Sequence, residues 1–419
     1  MIARSAAIAK RRPLPPTGRH GECGAALLIM LLGVVLAFTS LIASPLSKAA
    51  IDAQRQRKTL AALAQAKQAL IAWSVMQGDI GTDSNHRPGT LPCPDSNYFG
   101  SANSGNASGS CSSGGATAIG RLPWKTLATG PLRDADGELL WYVVSDNFRR
   151  PGLNNAAINS DTPGTLLLYA GEGGTRLSPA GDELAALIFA PGPPLNGQNR
   201  LTFPNEVGSY LDRHGNWNNT STVGPFIAGP WRDAQGNAVI NDLIIGISAR
   251  ELIAAIEKRV LAEASQAQER HALANGGKYP NPAAANGLGC TAPIANINAA
   301  GTCASDATTC FGRLPEDSLA PYVAPWFLKN GWGRTIAYAV NKNDARQADG
   351  SNCTSSLNVD GALKRFVLIA PGTTRHGRPR PSLMLSDYVD DPANSDAWSG
   401  NPDFSAPTQN SNDQMRSRP

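Results

Sequence analysis

Seven cysteines and five histidines carry the most obvious chemistry in this 419-residue chain, and their spacing narrows what that chemistry is. No Cys-x-x-Cys occurs, so neither a zinc site nor a dithiol redox motif is written locally. Cys93, Cys111, Cys290, Cys303, Cys310 and Cys353 form an even set at wide spacing, which suits disulfides in an oxidising compartment. His20, His86, His214, His271 and His376 are scattered, and no HExxH, Gly-x-Ser-x-Gly, P-loop or GxGxxG motif accompanies them. Nothing local assembles a catalytic centre, and the chain is read as a non-enzyme without a cofactor. Asp134-Ala135-Asp136-Gly137 offers hard oxygen ligands, which makes Asp134 and Asp136 the candidate calcium residues. The EF-hand spacing is absent, however, and an Asp-Gly turn between strands accounts for the same residues. Asp387, Asp390 and Asp391 read as a solvated loop; Trp217, Trp231 and Trp398 read as core or loop-pinning aromatics, with a partner surface as the alternative.

Composition sets the class of element that must carry these residues. Charged residues make up 17% of the chain, and 42 glycines with 31 prolines imply a loop-rich body with many turns. A net charge of +4 without a basic face argues against nucleic-acid binding, which needs clustered Lys and Arg. Residues Ala25 to Ser44 run for twenty positions without a charge. About 20 apolar helical residues span a bilayer core, whereas a secretory signal peptide has a shorter apolar stretch. Arg4, Lys10, Arg11, Arg12 and Arg19 before the run balance Lys48, Arg55, Arg57, Lys58 and Lys67 after it, so positive charge does not set the orientation. The cysteines place the downstream body in the periplasm.

Just ahead of the apolar run stands Arg19-His20-Gly21-Glu22-Cys23-Gly24, followed directly by Ala25-Ala26-Leu27-Leu28-Ile29. A basic leader, a glycine and an apolar helix with no polar spacer resembles the start of type IV prepilins and pseudopilins. The resemblance implies cleavage between Gly24 and Ala25 by the prepilin peptidase, retention of the helix in the inner membrane, and assembly with other pilin or pseudopilin subunits through it. It also implies loss of Cys23, leaving six cysteines. Members of the family usually carry Glu at the fifth mature position, where this chain has Ile29. That departure resembles the large tip pseudopilin of type II secretion and some minor pilins. Calcium binding by the major pseudopilins adds interest to Asp134 and Asp136.

Residues 47–76 lack glycine and proline and are rich in helix formers, with Leu60, Leu63, Leu70 and Ile71 forming an apolar stripe. Pro45 is expected to kink the helix near the membrane. Beyond it the body repeats itself. Gly120-Arg121-Leu122-Pro123 recurs as Gly312-Arg313-Leu314-Pro315, and the segment 137–144 answers to 333–340. Residues 187–192 likewise match Val367-Leu368-Ile369-Ala370-Pro371-Gly372, and Tyr210-Leu211-Asp212 matches Tyr388-Val389-Asp390. The second copy opens with a helix bearing Leu252, Ile256, Val260 and Leu261 on one face. Asn330 to Tyr338 resembles the Trp-Gly start of a pseudopilin strand, where glycine permits the chain reversal. Thr165 to Tyr169 and Phe366 to Ile369 are expected to pack as strands against the helix.

The predicted fold is therefore α+β: a long N-terminal helix followed by two pilin-like modules in tandem, each a helix with an antiparallel sheet. The boundaries are a leader 1–24, a membrane helix 25–44, a helical extension 45–77, modules 78–245 and 246–391, and a disordered tail 392–419. Cys111 and Cys303 each stand nine residues before the repeated glycine, and Cys93 and Cys290 are taken to correspond. This pairs Cys93 with Cys111 and Cys290 with Cys303, leaving Cys310 for Cys353; Cys290 with Cys310 stays open as the alternative. The function expected is a minor or tip subunit of a type IV pilus or type II secretion filament. The alternative is a membrane-tethered periplasmic hydrolase or carbohydrate-binding protein.

Overall fold

The structure is a computed structural model describing residues 22–78, 87–109, 111, 118–149, 157–171, 173–285, 290, 303–347, 353–375, 378, 380–392, 394–396, 401–408 and 411–419. The chain divides into two compact units, Met1–Arg57 and Lys58–Pro419. Helix α1, Glu22–Val75, belongs to both. In the first unit Leu28, Ile29, Met30, Leu31, Leu32, Val34 and Val35 are each more than half exposed. The helix runs on through Pro45, where the sequence suggested a kink. Among the described residues no helix is long and apolar enough to cross a membrane. Residues 25–27 and 36–44 of the candidate span lie outside the described side chains, as does the leader up to residue 21.

The second unit is mixed α and β with several small sheets, mostly antiparallel. Two of these have four strands, numbered here β1 to β8. The first contains β1 (Ala118–Arg121), β2 (Trp141–Val144), β3 (Leu184–Ala190) and β4 (Leu243–Ser248), hydrogen-bonded in that order. The second contains β5 (Phe311–Arg313), β6 (Ala337–Val340), β7 (Phe366–Ala370) and β8 (Gln414–Arg418), again in chain order. Both are antiparallel throughout, and their registers correspond: Gly120 faces Tyr142 and Tyr142 faces Ile188, as Gly312 faces Tyr338 and Tyr338 faces Leu368. Strand β8 occupies part of the segment expected to be a disordered tail. Its side chains are largely polar, so apolar patterning gave no sign of it.

The repeated Gly-Arg has a steric cause. A Cβ on Gly120 would stand 2.8 Å from the carbonyl oxygen of Asp95, and one on Gly312 would stand 1.9 Å from that of Ala283. In each half a proline-flanked segment crosses the first strand too closely for any side chain. Asp95 and Arg121 exchange backbone hydrogen bonds at 2.8 and 3.0 Å, and Ala283 and Arg313 do so at 2.8 and 2.9 Å.

Helix α2 (Ala249–Ala274) follows β4 without a linker, so the expected module boundary at residue 246 falls inside a strand. Ser248 ends the strand and caps the helix, its side chain accepting from Glu251 N at 3.1 Å. Leu252, Ile253, Ile256, Val260, Leu261, Ala264 and Ala267 are all buried, a face wide enough to touch strands of both sheets. From α1, Leu63, Ala66 and Leu70 enter the same core. Leu60 remains 48% exposed and Ile71 only half-buried, so Ala66 rather than Leu60 completes the stripe. One core cluster thus holds residues of α1, α2 and both sheets, and the two halves are not separate compact bodies.

In β2 the alternation of a strand sends Tyr142 and Val144 into this shared core, and Trp141 and Val143 into a second cluster on the other face. That outer cluster includes Leu166, Leu168, Tyr210 and Phe226. The strand expected at Thr165 to Tyr169 forms at Leu168–Ala170 and pairs parallel with Phe226–Ala228, in a separate sheet that the isolated bridge Leu166–Leu184 links to β3. Trp332 is fully buried in a short 3-10 turn, and Gly331, at φ +64°, takes the left-handed conformation there rather than Gly333.

Candidate functional site

The described cysteines form three disulfides: Cys93–Cys111, Cys290–Cys303 and Cys310–Cys353, with Cα separations of 5.4, 4.1 and 5.0 Å. The correspondence used to reach them needs correction at one point. The crossing segments are 91–95 and 279–283, so the position of Cys93 is taken in the second half by Asn281, not Cys290. Asn281 holds its loop by side-chain hydrogen bonds to Thr309 O and Gln347 O, at 3.1 and 2.7 Å.

Asp134 is fully buried. Its Oδ1 accepts from the backbone N–H of Asp136 and of Glu138, both at 2.9 Å, and its Oδ2 from that of Gly192 at 2.9 Å. The carboxylate is committed to shaping the turn. Among the described residues no group of three or more His, Cys, Asp or Glu could hold a metal ion. Trp217 packs on Tyr169 at 5.0 Å, and Trp231 meets His214 edge-on at 4.8 Å. Both aromatics pin loops. Trp398, His20, His86 and His376 lie outside the described residues, and so do the side chains of Gly24 and Ala25, which fall in α1.

The residues the sequence reading missed form a repeated anchor. Arg200 donates to the carbonyls of Gly192, Ser209 and Tyr210, and its guanidinium lies 5.0 Å from the Tyr210 ring. Arg380 donates to those of Gly372, Asp387 and Tyr388, with its guanidinium 4.8 Å from the Tyr388 ring. Each arginine stands eight residues after the repeated Ala-Pro-Gly. That spacing was the available signal.

A second missed pair comes just before the last strand of each sheet. Asp212 Oδ2 accepts from Asn241 N and Asp242 N, and Asp242 Oδ2 accepts from Asp212 N. In the second half Asp413 Oδ2 accepts from Asp390 N and Asp391 N. The Asn-Asp doublets 241–242 and 412–413 mark the place. Asp390 and Asp391, expected in a solvated loop, are buried here, because folding β8 onto the sheet closes over them. Burial, then the neighbouring Asp212, holds the Asp242 carboxyl well above the usual carboxylate range.

A cavity among the described residues has the size of a ligand site. About 620 Å³ lies between segments 195–198, 208–214 and 233–239. Exposed Asn196, Arg213, His214 and Asn237 line it with polar groups, together with the half-buried Asp233. Asn237 Nδ2 donates to Asp233 Oδ2 at 3.1 Å and fixes that carboxylate, whose pKa is lowered first by this bond. Such a groove can offer hydrogen bonds to a hydroxyl-rich molecule.

Comparison with known protein families, curated proteins and solved structures finds no match.

Proposed function

We propose that this chain is a minor or tip structural subunit of a type IV pilus or type II secretion filament, anchored in the bacterial inner membrane with its body in the periplasm. It acts by assembly and not by catalysis. The observation that carries this reading is the junction at Gly24, where a basic leader ends directly against an uncharged run. The same run lies on a helix that continues without a break to Val75. Its described side chains from Leu28 to Val35 are exposed, which leaves them available to lipid or to neighbouring helices. Disulfides in the body suit an oxidising compartment.

The test is the mature N-terminus of protein purified from membranes, by intact mass and N-terminal sequencing. Cleavage between Gly24 and Ala25, dependent on the prepilin peptidase, is the expected result. A chain that begins at Met1 or after Ser44 would reject the prepilin reading. The polar groove favours a second reading, a membrane-tethered periplasmic protein that binds carbohydrate, and that protein would have no reason to be cut at Gly24.

A further inference from the structure

Helix α2, the turn after β7 and the start of β8 meet at a single buried seam. Glu257 of α2 is wholly buried. Its Oε1 accepts from Ser160 Oγ at 2.7 Å and from Gly372 N at 2.9 Å, and its Oε2 accepts from Gln414 Nε2 at 3.2 Å. Gln414 is the first residue of β8, and the same amide nitrogen donates to Ala254 O at 2.8 Å. One residue earlier, Asp413 Oδ2 ties down the N–H groups of Asp390 and Asp391 at 3.0 and 2.9 Å. Its Oδ1 is buried with no hydrogen-bond partner among the described residues. Strand β8 sits at the edge of its sheet and pairs only with β7. The seam is therefore what fastens the beginning of an edge strand to the helix behind it.

Carboxyl groups crowd this seam. Carboxyl groups come from Glu257 on α2, Asp413 before β8, Asp390 and Asp391 on the preceding loop, and Asp161 beside Ser160. Arg380, Arg378 and Arg313 are cations beside it. Arg380 and Arg378 approach Asp390 at 3.8 and 3.9 Å, while Arg313 faces Asp161 and Tyr388. Arg380 also donates to the carbonyls of Gly372, Asp387 and Tyr388. No arginine makes an ion pair or hydrogen bond with Glu257 or Asp413 within 4.0 Å among the described residues. Burial pushes the Glu257 carboxyl up to about 8. Burial, with the adjacent Asp390 adding to it, pushes Asp413 up to about 7. The first half has no such helix carboxylate at this point: there the N–H of Gly192 is taken by Asp134 instead.

We propose that this seam is a proton-operated latch, which holds β8 against the sheet while Glu257 and Asp413 carry protons and loosens the strand when they ionise. Two charges in a buried seam, with only the more distant Arg380 acting on both, repel each other and draw in water, and the edge strand is the element free to yield. Freed carboxyls ionise in the ordinary range, so the latch weakens as pH rises from there through the folded values of about 7 and about 8, and the last part of that loss falls around neutrality.

Hydrogen exchange of the full-length protein tests this, read as protection factors after correction for the intrinsic pH dependence of exchange. Between about pH 6 and about pH 9, protection across Gln414–Arg418 should fall by about tenfold or more, while β3 keeps its protection. The double variant Glu257→Gln, Asp413→Asn should flatten that profile. Wild-type protection that does not change with pH, or a fall that survives in the double variant, would overturn the proposal. Should the variant not fold, carbon-13 NMR of the wild-type carboxyl groups decides the matter. Midpoints for Glu257 and Asp413 above about pH 6 support the latch, and midpoints below it overturn the latch.

Discussion

Arg200 and Arg380 show how much one side chain can organise. The guanidinium of Arg380 is fully buried and satisfies the carbonyls of Gly372, Asp387 and Tyr388. Truncation would strip three partly buried carbonyls of this donor and remove one of the two arginines that approach Asp390. Arg380→Ala is expected to cost about 3–5 kcal/mol, measured by chemical denaturation. The partly exposed pair of Arg176 with Glu183 serves as the contrast, and Arg176→Ala should cost no more than about 1 kcal/mol. Equal losses for the two variants would show that the buried arginine is not an anchor. Legibility at this scale was uneven. Gly120 and Gly312 were visible as landmarks because only glycine fits the crossing backbone. The arginines were not singled out, since a lone Arg in a loop looks like solvated charge until its carbonyl partners are in place. Asp390 and Asp391 misled for the same reason.

Among the elements, the strands richest in apolar residues were legible and the others were not. Phe366–Ala370 forms where expected, because a run buried on both faces has few alternatives. Gln414–Arg418 was invisible because its place is set by backbone pairing with β7 and by the Asp413 turn, not by side-chain burial. The disulfides add constraints of different reach. Cys310–Cys353 spans 43 residues and Cys290–Cys303 spans 13. Chain-entropy reasoning gives about 4 kcal/mol for the longer loop and about 3 kcal/mol for the shorter. Cys310→Ser with Cys353→Ser should therefore lower the denaturation midpoint more than Cys290→Ser with Cys303→Ser. The opposite order would mean that local geometry at the shorter loop outweighs loop closure.

At the scale of the whole molecule, the duplication bears on where such a subunit could stand in a filament. In the proposed role, Ile29 occupies the place of the glutamate that meets a neighbour's N-terminal amine in pilin-like shafts. A subunit lacking it cannot neutralise the amine of a subunit ahead, so the first position in the stack suits it best. The body from Lys58 to Pro419 is also large for one helix in a closely spaced lattice. Quantitative mass spectrometry of sheared filaments should find this chain far below the major subunit, and its deletion should reduce filament number. Near-equal abundance would exclude the tip, and complete absence would favour the tethered protein.

The position of α2 in the chain also sets a timetable for folding. The inner faces of β2 and β3 present Tyr142, Val144 and Ile188 to a core that α2 completes with Leu252, Ile253 and Ile256. During synthesis those strands leave the ribosome after α1 but before α2, the other part of their cover. An N-terminal part that folds while the rest is still being made would have to include α2. Its first half cannot close its core until α2 has emerged.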